Sequence, residues 1–260
     1  MFKFHDVEQN TDDWFLLRAG KLTSSNMGKV MANSTEYSVL SISKAEGFAI
    51  ANNKTKSVLK PRYETKVDAE SALAEIKKKD LKKAFGDLAK KYAVSIAIEQ
   101  ITGTPIESSY TNDDMERGHE QEPIARMLYE EQNFCDVTNG GFFESDFVGC
   151  SPDGMVGDDG VIEIKSVIGS VHYANVKRQS FDPSYKWQLI GNLYFTGRDW
   201  MDFVSYSADF PEGKRLYTFR LNAADYQEEF KMIDERIALF EKLVSEIKQD
   251  ILEKQYTIQG

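Results

Sequence analysis

Asp153 and Glu163 stand ten residues apart, and Lys165 follows two residues after the second acid. The first acid lies in the turn-forming run Ser151-Pro152-Asp153-Gly154. The other two residues sit in Val161-Ile162-Glu163-Ile164-Lys165, which alternates apolar and charged residues as a half-buried strand does. Side chains alternate along a strand, so Glu163 and Lys165 share one face while Ile162 and Ile164 take the other. If turn and strand neighbour one another across a hairpin, the two carboxylates can grip one divalent ion. Mg²⁺ wants such oxygen ligands, a few carboxylates with water and phosphate. The ion would lower the pKa of water and neutralise charge in phosphodiester hydrolysis. Lys165 would orient the attacking water or stabilise the charge on phosphorus. The plainer reading of the same residues is a solvent-facing Glu-Lys pair of little energy beside an ordinary turn.

The elements that must position these residues can be read from periodicity. Thr11 or Asp12 caps a first helix carrying Trp14, Leu16 and Leu17 and ending near Gly20, and Thr23 or Ser24 caps a second through Met31. Residues 33–65 read as a polar, loop-rich stretch around a short helix at 43–51. Helical spacing holds from about Asp68 to Ile101 and again from Gly118 to Gln132. From Gly141 the period changes to two, giving short strands through residue 167. Helices at 170–179 and 183–196, strands at 200–208 and 215–221, and a long amphipathic helix from Ala223 to about Glu253 complete the chain. The expected fold is α/β (α+β), a small central mixed sheet flanked by helices. The expected organisation is one domain over residues 1–260 with a helical insertion at about 33–112 and a C-terminal helix at about 223–253.

Composition narrows the function classes. The chain has 260 residues, 41% hydrophobic and 28% charged, which supports a substantial core and gives no sign of disorder. Its net charge of −10 argues against non-specific coating of nucleic acid, while leaving room for a local basic track such as Lys77 to Lys91. Two cysteines, Cys135 and Cys150, make neither a disulfide framework nor a zinc site. No apolar run is long enough for a bilayer, and the first residues lack a signal-peptide core. A cytoplasmic protein without membrane contact is the expectation.

The residues around the turn and strand resemble a known family. Ser151-Pro152-Asp153-Gly154 with Glu163-Ile164-Lys165 resembles the PD-(D/E)xK nuclease motif in the form found in phage-lambda-type exonucleases, the YqaJ-like viral recombinase group. Three further segments fit in the same order: Trp14 to Ser25 (WFLLRAGKLTSS), Gly118 to Ala125 (GHEQEPIA) and Tyr185-Lys186-Trp187-Gln188. Together they span residues 14–196. The resemblance implies a restriction-endonuclease-like core, with Asp153, Glu163 and Glu122 as metal ligands, Lys165 as the catalytic lysine and Gln188 near the reacting centre. It assigns Arg18, Ser25 and Ser151 to a pocket for a terminal 5′-phosphate, for which a guanidinium fork and hydroxyls are suitable groups.

The activity implied is that of a Mg²⁺-dependent 5′→3′ exonuclease, with Mn²⁺ as a substitute ion. Such an enzyme degrades one strand of double-stranded DNA from its ends and leaves a 3′ overhang for homologous recombination. The implied partner is a single-strand-annealing recombinase, the location is the host cytoplasm of a phage-encoded protein, and some relatives form ring trimers. An endonuclease or single-strand nuclease of the same fold, and a non-catalytic DNA-end-binding protein, are the rival readings.

The satellite residues have plainer roles open to them. Arg18 could cap a helix C-terminus, Ser25 could be an ordinary cap, and Gln188 could be exposed on an amphipathic helix. Glu122 could serve a helix dipole, with Glu116 or Glu120 as rival ligands. Trp14 and Trp187 read as core, Asp158 and Asp159 as solvated, and a lone His119 is not required. Ile190 stands where some members have a second glutamine.

Overall fold

A computed structural model describes residues 2–33, 37–43, 47–53, 55–106 and 113–254. These residues form two compact units, one built from residues 1–28 and 103–233, the other from 29–102 and 234–260. Parts of the expected 33–112 segment, residues 34–36, 44–46, 54 and 107–112, lie outside the described residues.

The first unit holds a five-stranded sheet in the spatial order Leu216–Asn222, Trp200–Tyr206, Gly160–Ser166, Gly154–Val156, Val137–Thr138. Gly160–Ser166 runs parallel to Trp200–Tyr206 and antiparallel to Gly154–Val156. The strand with the acid and the lysine is therefore central, hydrogen-bonded on both sides. Its Ile162 and Ile164 enter a core with Val137, Val156, Val204 and Tyr206, closed by Ala125 and Tyr129 of the helix Asp113–Asn133. The opposite face meets the helices Gly169–Arg178 and Lys186–Thr196. There Phe203 packs near Phe181 and Tyr185, and Ser205 hydrogen-bonds His172 at 2.9 Å. Sandwiching a small mixed sheet between helices on both faces is the α/β layering expected from the order of elements.

A second sheet in the same unit orders Lys3–His5, Phe142–Glu144, Val148–Cys150 and Leu22–Thr23. It carries the chain into the Ser151–Gly154 turn, because Ser151 follows directly on Val148–Cys150. The first helix runs Asp12–Arg18, and Thr11 caps it by accepting from the Trp14 N–H. The expected second helix is divided into a 3-10 turn, Ser24–Asn26, and a short helix, Met27–Met31.

The second unit differs from expectation at two points. The helix expected at 43–51 falls partly on residues outside the described ones, and in the described part Gly47–Asn52 is a strand paired antiparallel with Tyr37–Ser43. Alanine and isoleucine suit a helix locally, but Val39↔Ile50 and Leu40↔Ala49 pair across the hairpin and bury Ala49 and Ile50. Cross-strand packing overrides so weak a propensity. The long helical pattern that follows is broken into Lys66–Lys79, Leu81–Ala84 and Asp87–Thr102, with Asp80 and Gly86 at the breaks. The helix Gln227–Glu253 contributes its residues from Asp234 onward to this unit.

Candidate active site

The hairpin inferred from sequence exists. Gly154–Val156 pairs with Gly160–Ser166 in the register Gly154↔Ile162, Met155↔Val161, Val156↔Gly160. Asp153 sits at its open end, where its N–H donates to the Ile162 carbonyl at 3.0 Å. Its carboxylate Oδ2 accepts from the Ile164 N–H at 2.6 Å. The turn is forced against the sheet by glycines: a Cβ on Gly154 would run into Val137, and one on Gly140 into the Pro152 carbonyl. The side chain of Asp153 is thereby tied to the same strand that bears Glu163.

Glu163 is not a solvated strand residue. It is 1% exposed, and both carboxylate oxygens are engaged. Oε1 accepts from Lys165 Nζ at 2.5 Å and from Gln188 Nε2; Oε2 accepts from Asn192 Nδ2 at 2.7 Å. The plain reading of an exposed Glu-Lys pair fails on this burial, since a charge withdrawn from water must be met by specific partners. Burial works against the Lys165 ammonium, but the charges of Glu163 and Asp153 outweigh it and raise its pKa above the ordinary lysine range. Lys165 also lies over the Tyr185 ring, 5.2 Å from its centre. The amides of Gln188 and Asn192, four residues apart on Lys186–Thr196, reach the carboxylate from one helix face.

Glu122 approaches from the helix Asp113–Asn133. Burial and then the charge of Glu163 raise its pKa, and Lys165, His119 and Arg126 oppose the rise. Burial, followed by Glu163 and Glu122, pushes Asp153 well above the usual carboxylate range. The three acids thus repel one another, and the Lys165 ammonium offsets part of the repulsion. Glu122 and Asp153 both line a cleft of about 660 Å³, together with His119, Arg126, Asn139 and the Asp6–Asn10 segment.

Among the described residues no group of three or more acidic, histidine or cysteine side chains is placed to hold a metal ion. The donor set nevertheless fits a hard divalent cation of the Mg²⁺ kind. All three candidate donors are carboxylate oxygens, Oδ1 of Asp153 makes no hydrogen bond among the described residues, and Glu122 makes none. Mg²⁺ needs only one or two carboxylates, because it keeps several waters.

The residues assigned by resemblance to a phosphate pocket also gather. Arg18 Nη2 lies 3.5 Å from Ser25 Oγ, and its guanidinium stacks on Trp14 with Cζ 4.0 Å from the ring centre. The Trp14 indole N–H donates to Ser151 Oγ at 2.7 Å. Trp14 is buried, as expected of a core residue, and its ring packs edge-on against Phe15 as well as meeting Arg18 and Ser151. Ser25 belongs to the Ser24–Asn26 turn and is hydrogen-bonded with Thr23 at 3.1 Å. Of the rival acids, Glu120 is exposed and, unlike Glu122, neither it nor Glu116 is among the groups that line the cleft. Asp158 and Asp159 are exposed in the hairpin turn, as expected. Sequence reasoning missed Asn192. Its one signal was its place a helical turn beyond Gln188.

The description that matches this chain is the YqaJ-like viral recombinase domain, over residues 13–199. No curated protein matches it. Among solved structures, the alkaline exonuclease LHK-Exo of Laribacter hongkongensis is similar over 94% of this chain and 99% of its own, at 24% identity and a TM-score of 0.61. The same enzyme in complex with dAMP gives 0.62. A phage-related exonuclease of Haemophilus somnus is similar over 89% of this chain and 96% of its own, at 17% identity and a TM-score of 0.58. The fold is the one these exonuclease structures share with this chain. On the match that covers residues 13–199, the chain belongs to the YqaJ-like viral recombinase domain family.

Proposed function

We propose that the protein is a divalent-metal-dependent exonuclease that removes nucleotides from the 5′-phosphorylated end of one strand of duplex DNA and leaves a 3′ overhang. Family membership makes it a DNA exonuclease, a phosphodiester hydrolase; the ion, the polarity and the use of the overhang by a strand-annealing recombinase are the finer parts of the reading. One observation carries it. Asp153 is tied through its carboxylate to the Ile164 N–H of the strand that carries Glu163 and Lys165, and Glu163 lies buried in that central strand, held by three donors.

Asp153, Glu163 and Glu122 would hold the ion, Mg²⁺ with Mn²⁺ as substitute. When bound, such an ion lowers the pKa of water and offsets phosphate charge. The ammonium of Lys165, fixed by Glu163, provides positive charge for the phosphorane-like transition state at no cost of reorganisation. Gln188 holds the carboxylate orientation through its amide. Arg18, Ser25 and Ser151 bind the terminal phosphate, and the stack on Trp14 holds the Arg18 fork in place before DNA arrives. Reading a terminal phosphate distinguishes an end-directed enzyme from one that cuts internally.

The test is degradation of three substrates with and without EDTA: a linear duplex with 5′-phosphates, the same duplex with 5′-hydroxyls, and a closed circle. The reading expects fast resection of the first, slow resection of the second, an intact circle, and no reaction in EDTA. Equal attack on the circle would establish an endonuclease instead, and binding without any degradation would establish an end-binding protein.

A further inference from the structure

We propose that Asn192 is a positioning residue for the metal-binding carboxylate, anchored by the Ser24 hydroxyl, so that Ser24 and Asn192 together set the affinity of the site for its divalent cation. The proposal rests on the reading of Glu163 as a metal ligand.

The geometry is directional. Asn192 is fully buried, and Ser24 and Glu163 are 3% and 1% exposed, so solvent offers these groups no alternative partners. The Asn192 amide has one donor end and one acceptor end. Glu163 Oε2, a carboxylate oxygen, can only accept, and Asn192 Nδ2 donates to it at 2.7 Å. The acceptor end then faces Ser24, whose hydroxyl donates to Oδ1. Were the amide turned over, Oδ1 would face the carboxylate and Glu163 would keep a buried oxygen without a donor, a costly arrangement. The carboxylate thus sets which end of the amide faces it, and the Ser24 hydroxyl, which can donate as well as accept, ties down the acceptor end and anchors the amide there.

The helix can come this close because residue 191 is glycine. A Cβ there would stand 3.2 Å from Ser24 Cβ. On Glu163, Lys165 and Gln188 already occupy Oε1, and Asn192 takes one of the two lone-pair sites of Oε2. That leaves one Oε2 lone pair in a fixed direction for a cation. Partners of this kind, which hold a ligand without touching the metal, commonly govern affinity as strongly as the ligands do. Ser24 also immediately precedes Ser25, so one 3-10 turn serves both the ion-binding acid and the phosphate pocket.

The experiment is calorimetric titration of the full chain with Mn²⁺ alone, without DNA, alongside the Mn²⁺ dependence of cleavage and the thermal midpoint. The variants are Ser24→Ala, Asn192→Leu, the double variant and Asp153→Ala. Asn192→Leu should weaken Mn²⁺ binding by about 10- to 100-fold and shift the Mn²⁺ requirement of cleavage in parallel, while KM for phosphorylated DNA ends stays unchanged. Ser24→Ala, the milder change, should weaken binding in the same direction. The double variant should be no worse than Asn192→Leu, since Ser24 acts through the amide. Wild-type Mn²⁺ affinity in either folded single variant, or a lowered thermal midpoint with no change in affinity, would overturn the proposal. Full Mn²⁺ affinity in Asp153→Ala would instead overturn the placement of the metal site itself.

Discussion

Glu163 accepts from Lys165, Gln188 and Asn192 while lying in the central strand of a sheet, and no surface ion pair needs so many donors. Each donor has its own signature on substitution. Gln188→Ala removes a donor to the oxygen that Lys165 shares, so it should lower kcat by about tenfold to a hundredfold with the affinity for DNA ends intact, read from single-turnover rates and fluorescence anisotropy. Arg18→Ala should act in the opposite way. It removes the fork for the terminal phosphate, so KM for 5′-phosphorylated ends should rise and the advantage over 5′-hydroxyl ends should disappear. If Arg18→Ala leaves that advantage in place, the pocket has been assigned to the wrong residues.

At the scale of elements, two polar links, one buried and one half-buried, tie elements of each sheet to their neighbours, and their contributions are separable from catalysis. Asp202, 1% exposed on the strand Trp200–Tyr206, accepts from the Tyr129 hydroxyl at 2.7 Å and from Arg220 at 2.8 Å through both Nε and Nη2. Tyr129→Phe removes one donor to a charged acceptor and should cost about 1.5–3 kcal/mol in urea unfolding, with the specific activity of the folded fraction unchanged. The second link is Glu144, which joins His5 at 2.7 Å and Lys21 at 3.2 Å. Burial alone would raise its carboxyl, but the hydrogen bonds from His5 and Lys21 outweigh it and hold the group below the usual range. A depressed carboxyl stabilises fully above its unfolded pKa of about 4.3 and loses that contribution as pH falls through its folded value. Glu144→Gln should therefore cost about 1 kcal/mol at neutral pH and nothing once the pH is well below 4.3, measured by urea unfolding across pH. A constant difference at all pH values would show that the ion pairs are not its source.

The same elements show how far the sequence could be read. Asp153, Glu163 and Lys165 were legible because a strand repeats every two residues and Asp-Gly marks a turn, both local signals. The hairpin Tyr37–Ser43 with Gly47–Asn52 was not, because its stability comes from side chains that meet only across the pair. Nor was the burial of Glu163 legible: strand alternation reports which residues share a face, but not that a helix more than twenty residues further on would cover that face with two amides. Asn192 is the clearest case. Its place one helical turn beyond Gln188 is the only sequence signal it carries, and nothing local points to the carboxylate it meets.

For the whole molecule, a net charge of −10 and a reaction at DNA ends go together. An acidic surface resists unspecific adsorption to duplex, so in the proposed reading binding depends on the end pocket and its few cations rather than on a broad basic face. The salt dependence of end binding should correspondingly be shallow, with a slope that reflects only a few phosphate contacts. Among the described residues no helix is long and apolar enough to cross a membrane. The most direct test of the central claim is release of labelled 5′-mononucleotide from a phosphorylated linear duplex in Mg²⁺ by the wild type, Asp153→Asn and Lys165→Ala. The hairpin site predicts a loss of at least about 10²–10³ in single-turnover rate for Lys165→Ala and no release by Asp153→Asn, with DNA-end binding retained by both. Release at the wild-type rate by either variant would contradict it.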